Sequence, residues 1–221
     1  MSAPGGPRTG VLVMAHGTPA TAAGIEPFYT TIRRGSPPTP ELLAELVGRY
    51  EAIGGTSPLT ERTRSQVEGL ASALEAAAPG GYVVRFGAKY VTPTIEEGLA
   101  ELADAGVDRV IGIVLTPHQS SLGSGEYFRR AREAAAATPA LGFTAIPSWH
   151  RTEGFAPVLA DRTAAVLASL DPDRKRRTAV FFTAHSLPER VVADGDPYPD
   201  QVAESAGDVA ASRRSANLSM P

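Results

Sequence analysis

Residues 108–116, DRVIGIVLT, decide how this chain is to be read. The apolar run Val110–Leu115 is far shorter than the ~20 residues of a membrane span. It carries apolar side chains at successive positions, as a strand covered on both faces does. Working outward, the same reading fits 10–15 (GVLVMA), 82–88 (YVVRFGA), 142–147 (GFTAIP) and 177–184 (RTAVFFTA). Between these runs the apolar residues recur at helical spacing. Val67, Leu70, Ala71 and Leu74 mark one face, Ile95, Leu99 and Leu102 a second, and Phe155, Val158, Leu159, Val166 and Leu170 a third. Ser57-Pro58 reads as a helix cap followed by proline in the first turn. Strands alternating with helices predict an α/β fold with parallel strands joined by right-handed crossovers.

Composition bounds the function. The 221 residues carry 21 Lys+Arg against 24 Asp+Glu, a net charge of −3 that predicts no nucleic-acid partner. There is no cysteine, which excludes disulfides, thiolate metal sites and any iron–sulfur cluster ligated by this chain. No stretch is long and apolar enough for a transmembrane segment, and the lead-in MSAPGGPRTG has no signal-peptide core. A cytoplasmic protein is expected. Residues 16–57 hold no strand and read as one or two helices and a loop, the kind of long post-strand insertion that builds a binding site. A boundary near 138–152 divides the chain into an N-terminal α/β half over 1–145 and the start of a second half over 146–211. The final stretch, SRRSANLSMP at 212–221, has no apolar period, so the chain reads as cut short.

Four histidines, His16, His118, His150 and His185, each follow a predicted strand. Ligands in open α/β folds bind outside the carboxyl ends of the strands. Histidine is both the commonest metal ligand and the side chain that titrates near neutral pH. A metal-handling or proton-transfer site is one reading, and loop hydrogen bonding by each imidazole is the other. His185 has the richest surroundings: AHSLPER at 184–190, then GDPYPDQ at 195–201, a carboxylate-bearing loop stiffened by proline. Arg33, Arg34 and the Arg49-Tyr50 pair fall in the insertion, where guanidinium groups suit carboxylates or phosphates, or simply end solvated helices. Arg174–Arg177 reads as a solvated connection. Gly54-Gly55-Thr56-Ser57 lacks a phosphate-loop lysine, no GxGxxG opens a helix, and Gly123-Ser124-Gly125 is no nucleophile elbow. ATP is therefore not expected.

Taken in order, MAHGTP at 14–19, IRRG at 32–35, RYEAIGGTSPL at 49–59, TPH at 116–118, AHSLPER at 184–190 and GDPYPDQVAESA at 195–206 resemble the ferrochelatases, in particular the coproporphyrin ferrochelatases of Gram-positive bacteria. The likeness runs over residues 10–210 and stops near Ala211. It implies two Rossmann-like, chelatase-type halves with parallel sheets, the second incomplete here. It also implies insertion of ferrous iron, as substrate, into coproporphyrin III or a related porphyrin in haem biosynthesis. His185 matches the metal-side, catalytic histidine, whose glutamate partner lies in the part of the family's chain that is absent. Arg33, Arg49, Tyr50, Ser57 and Tyr127 match porphyrin-contact positions. His16 stands where those relatives commonly carry a tyrosine facing the iron. Two alternatives stay open: a porphyrin or haem binder without catalysis, and a chelatase for another tetrapyrrole and metal. The truncation implied by the resemblance would leave apolar helix faces and a sheet edge uncovered, with poor solubility or dependence on a partner as the consequence.

Overall fold

The computed structural model describes residues 8–218, with side chains described through Ser212. Contacts divide the chain into two compact units: residues up to Leu115 together with Glu126–Ile146, and Thr116–Gly125 together with Pro147 onward. No single cut point in the sequence expresses this division. The expectation of an unrelated tail over 212–221 lies outside the described side chains except at Ser212, and residues 219–221 lie outside the described structure altogether.

In the first unit, β1 (Thr9–Ala15), β2 (Tyr82–Ala88), β3 (Arg109–Val114) and β4 (Gly142–Ile146) form one all-parallel sheet in the order β2-β1-β3-β4. All four strands lie where the sequence predicts them. β1 is paired along both edges, Val11 opposite Val84 on one side and Ile111 on the other. Leu12, Val13 and Met14 have no exposed surface, as a central strand covered on both faces requires. The links from β1 to β2 and from β2 to β3 run in opposite directions across the sheet. Right-handed crossovers therefore place their helices on opposite faces.

The insertion after β1 holds a short 3₁₀ turn at Ala22–Gly24, then α1 (Ile25–Ile32) and α2 (Pro40–Ala52). α3 (Leu59–Ala77) leads into β2, α4 (Ile95–Asp104) into β3, and α5 (Ser124–Ala136) into β4. α3 begins one residue later than the Ser57-Pro58 reading places it: Pro58 holds the capping position, and the Ser57 hydroxyl accepts a hydrogen bond from the Leu59 amide at 3.2 Å. Thr94 and Glu97 make a reciprocal capping box at the start of α4. That helix lies very close to the sheet. A Cβ at Gly98 would sit 2.6 Å from the Phe86 carbonyl oxygen and 2.8 Å from Leu12 Cδ1. Ile95, Leu99 and Leu102 are fully covered, as their spacing predicts, and join Met14, Val110, Val114 and Phe128 in the main core.

The second unit departs from the sequence reading. α6 (Phe155–Ala168), α7 (Pro172–Arg176), α8 (Glu189–Ala193) and α9 (Tyr198–Leu218) are its regular elements, and it has no strand among the described residues. The strand expected at 177–184 is absent. Those residues run without regular structure in solvent, with Phe181 84% and Phe182 47% exposed. A parallel strand draws its stability from hydrogen-bonded neighbours, and none lies beside this segment among the described residues. The predicted apolar face of α6 is likewise not the buried one. Val158 and Val166 are exposed while Ala160 and Leu167 are buried, because α6 packs against α9 rather than on a sheet. Arg174–Arg177 is solvated, as expected, and residues through Arg176 form the short helix α7, capped by the Asp171 carboxylate.

Two outcomes follow from this packing. Gly98→Ala should lower unfolding stability by about 1–3 kcal/mol, since backbone lies in the way of the methyl group, and chemical denaturation reads the change. Phe181→Ser with Phe182→Ser should leave that stability unchanged and raise the concentration at which the chain self-associates, as sedimentation would show.

Candidate functional site

The turn that leaves β1 is the first element of the site. Gly17, at φ +78°, lets the chain reverse where a Cβ would strike Val91 and Ala88, so the loops after β1 and β2 close on one another. A cavity of about 920 Å³ lies in the first unit between these strand ends, α1 and α3. That volume is near the top of the range of about 300–1,000 Å³ typical of small-molecule sites. Thr18 and Pro19 come from the post-β1 turn, Phe28 from α1, Thr63 and Val67 from α3, and Tyr90 from the post-β2 loop. Among the described residues, its charged wall residues are Arg64 and Glu68, one turn apart on α3.

Polar groups are set into this apolar wall with their partners fixed. Thr18, 5% exposed, shares a 2.8 Å hydrogen bond between its hydroxyl and that of Tyr50. The Tyr90 ring is held by three neighbours: His16 at 4.8 Å, Phe28 at 6.2 Å, and the Lys89 ammonium 5.2 Å from its centroid. Lys89 also lies 5.1 Å from the Tyr127 ring. The Lys89 carbonyl accepts a 2.6 Å bond from Arg130, whose guanidinium grips Glu96 through two further bonds. Burial opposes ionisation of Glu96, yet the Arg130 bonds hold its carboxyl below the ordinary range. α4 and α5 thereby fasten the loop that carries Tyr90.

None of the predicted porphyrin-contact residues lines this cavity itself, and they lie at different removes from it. His16 is exposed, bonds the Gly17 carbonyl through Nδ1 at 2.9 Å, and meets the two aromatic wall residues, Phe28 edge-on and Tyr90 at a tilt. Tyr50 reaches the wall through Thr18, and Ser57 through the first residue of α3, Leu59. Arg33 is exposed, its guanidinium over the Tyr29 ring and its Nε donating to the Ser36 carbonyl. Arg49 is exposed and paired with Glu45 one turn earlier. Tyr127 belongs to the hydrophobic core. Burial, helped by the neighbouring Tyr90, pushes its hydroxyl up to about 12, so it stays neutral. The sequence reading missed Phe28, Thr63, Arg64 and Tyr90. Tyr90 carried the same signal as the histidines, a polar aromatic side chain just past a strand; the position of Thr63 on the Leu59–Val67 face of α3 carried the other.

In the second unit, His185 is exposed, and its backbone amide donates to the Tyr198 hydroxyl at 3.3 Å. The GDPYPDQ loop has an architectural role there. Asp196 Oδ2 accepts the Ser121 amide and hydroxyl, both at 2.7 Å, and Oδ1 accepts the Tyr198 amide at 3.0 Å at the start of α9. Burial works against the charge, and the Ser121 and Tyr198 bonds outweigh it, holding the carboxyl below its usual range. His118 and His150 form a pair with ring centroids 5.4 Å apart. Among the described residues no group of three or more His, Cys, Asp or Glu side chains is placed to hold a metal ion. Nor is any described helix long and apolar enough to cross a membrane.

The fold is an all-parallel α/β sheet with an apolar cavity at its first two strand ends, the place where open α/β folds take small ligands. The chain belongs to the ferrochelatase family, which it matches over residues 8–220, past the point at Ala211 where the motif likeness ends. The coproporphyrin III ferrochelatase of Bacillus subtilis (strain 168) is 40% identical over 200 residues, covering 90% of this chain and 64% of the relative. That of Listeria monocytogenes serotype 4b is 40% identical over 200 residues, covering 90% and 65%. The ferrochelatase of Herpetosiphon aurantiacus is 39% identical over 204 residues, covering 92% and 67%. The chain spans about two thirds of the length of these relatives.

Asp196→Asn keeps the shape of the side chain and removes its charge. It should cost about 1–2 kcal/mol, at the low end for charge-assisted bonds because the site is partly solvated. In the unsubstituted chain this contribution is complete above the ordinary aspartate range and is lost as pH falls through the lowered native value. Unfolding followed from pH 7 to pH 3 should show the two proteins converging in acid.

Proposed function

We propose that the first-unit cavity binds a carboxylate-bearing porphyrin and that the chain serves the ferrochelatase reaction, with His185 as the metal-side base. The observation that carries this reading is the identity of the wall. The turn following the family-like MAHGTP stretch and the helix following SPL both line the apolar cavity. Aromatic and aliphatic walls suit a flat macrocycle, and Arg64 offers one guanidinium to a peripheral carboxylate. Arg33 and Arg49, both exposed, are the further cations of the insertion for a substrate bearing several carboxylates. Coproporphyrin III is the substrate favoured, because the Bacillus and Listeria relatives are coproporphyrin III ferrochelatases.

The chemistry asks for two things. Ferrous iron replaces two pyrrole N–H protons, so two protons leave as the metal enters, and the macrocycle must be held so that its nitrogen lone pairs are open. Neutral histidine can take a proton near neutral pH, and the exposed His185 imidazole can pass it to solvent. The walls fixed by the Thr18–Tyr50 bond and by Arg130 limit rearrangement on binding, the condition under which a site holds a distorted ligand.

A second reading is porphyrin or haem binding without metallation. It is favoured by the apolar and aromatic wall of the cavity, which can hold a flat macrocycle whether or not a metal enters it. Coproporphyrin III and ferrous iron under anaerobic conditions separate the two readings. Catalytic loss of porphyrin fluorescence that falls at least tenfold in His185→Ala supports metallation. Stoichiometric quenching, unchanged in that variant, supports binding alone. Thr63→Phe, which fills the cavity, should weaken porphyrin binding at least tenfold under either reading, and unchanged affinity would remove the cavity from both.

A further inference from the structure

His118 and His150 have no part in the reading above, yet both are placed with care. His118 is half-buried and His150 only 4% exposed, with their ring centroids 5.4 Å apart. Each presents its Nε2 to α9. His118 meets the Ser205 hydroxyl at 2.8 Å, and His150 meets the Glu204 carboxylate at 2.9 Å. Successive residues of one helix thus read two neighbouring, tilted imidazoles. One turn earlier on α9, the Gln201 side chain accepts the Gln119 amide at 2.7 Å. The loop around His118 and the loop around His150 are therefore tied to the same stretch of α9 by polar contacts that depend on which imidazole nitrogen carries a proton.

We propose that the His118–His150 pair is a proton-sensitive latch for α9, closed while His118 is neutral and opened when His118 takes a proton. The partners of the two rings differ in the way this requires. A proton on His150 has the Glu204 carboxylate across from it, with Arg151 3.9 Å from that carboxylate on the outer side and the Ser148 hydroxyl 3.3 Å from Nδ1. Among the described residues, a proton on His118 meets neutral partners, the Ser205 hydroxyl and the rings of Tyr198 and Phe155, and it faces the His150 imidazole rather than a carboxylate. Burial first, and the His150 charge second, hold His118 below the ordinary histidine range.

The sign follows from linkage. A native state that resists protonation of His118 keeps its full stability above the ordinary histidine value and loses it as pH falls below. Glu204, held below the ordinary range chiefly by its bond from His150, contributes with the same sign but in the carboxylate range, at lower pH. The two effects are therefore separated along the pH axis.

Amide hydrogen exchange across 198–209 in the full chain, from pH 8 to pH 5 and corrected for intrinsic rates, tests the latch. Protection should fall by up to about tenfold per pH unit below the histidine range, the limit for one linked proton. His118→Gln, which keeps a hydrogen-bonding group for Ser205 but does not titrate, should give a flat profile there. Glu204→Gln should lower protection throughout and keep the slope. A flat profile in the unsubstituted chain overturns the proposal, as does a slope that persists in His118→Gln. If His118→Gln does not fold, the position of the transition in the unsubstituted chain decides: a fall confined to the carboxylate range assigns it to Glu204 and overturns the latch.

Discussion

Everything that carries a motif in the first unit hangs from the carboxyl end of β1, and β1 holds that place because it is hydrogen-bonded along both edges. Its side chains from Leu12 to Met14 have no access to water, so neither its register nor its direction can shift without exposing apolar surface on one face. The turn at Gly17 begins from this fixed point. Close packing of α4 at Gly98 sets the height of β2 against β1, and the Arg130–Glu96 pair then fastens the loop that follows β2. The cavity is bounded by elements that each trace back to that central strand.

The two units differ in what holds them. The first is a sheet covered by helices, and its hydrophobic core is continuous from Met14 to Phe128. In the second, described by itself, α6 packs on α9; the loops at 118–121 and 148–151 are bound to α9 by hydrogen bonds to Gln201, Glu204 and Ser205, and to the loop before it by Asp196. Directional polar contacts of this kind are individually small in net energy, and they depend on charge state in a way that buried leucines do not. Leu167, Val191 and Val209 are buried in that unit, while other large apolar side chains, Val166 and Phe181 above all, remain in solvent.

Strand positions were legible because their signal is local and strong: short apolar runs bounded by polar residues and glycine gave all four strands of the sheet. The same signal at 177–184 misleads. A run such as TAVFFTA describes a segment able to be a buried strand, while being one depends on neighbours that the run itself does not encode. The face of α6 fails for a related reason. Helical periodicity names an apolar stripe, but the partner chooses which side is covered, and here α9 selects Ala160 and Leu167.

The sequence by itself determined the α/β class, the order of the motifs and the family to which they belong, since each is written in local composition and spacing. It also placed residues such as His16 at strand ends, where ligands gather. Only the tertiary structure decided that Tyr127 is a core residue with a neutral hydroxyl, that Tyr90 and Thr63 wall the cavity, and that His118 pairs with His150 rather than with His16. These facts join residues far apart in the chain. Distances of that kind are fixed by how strands pair and helices pack, which no single stretch of sequence records.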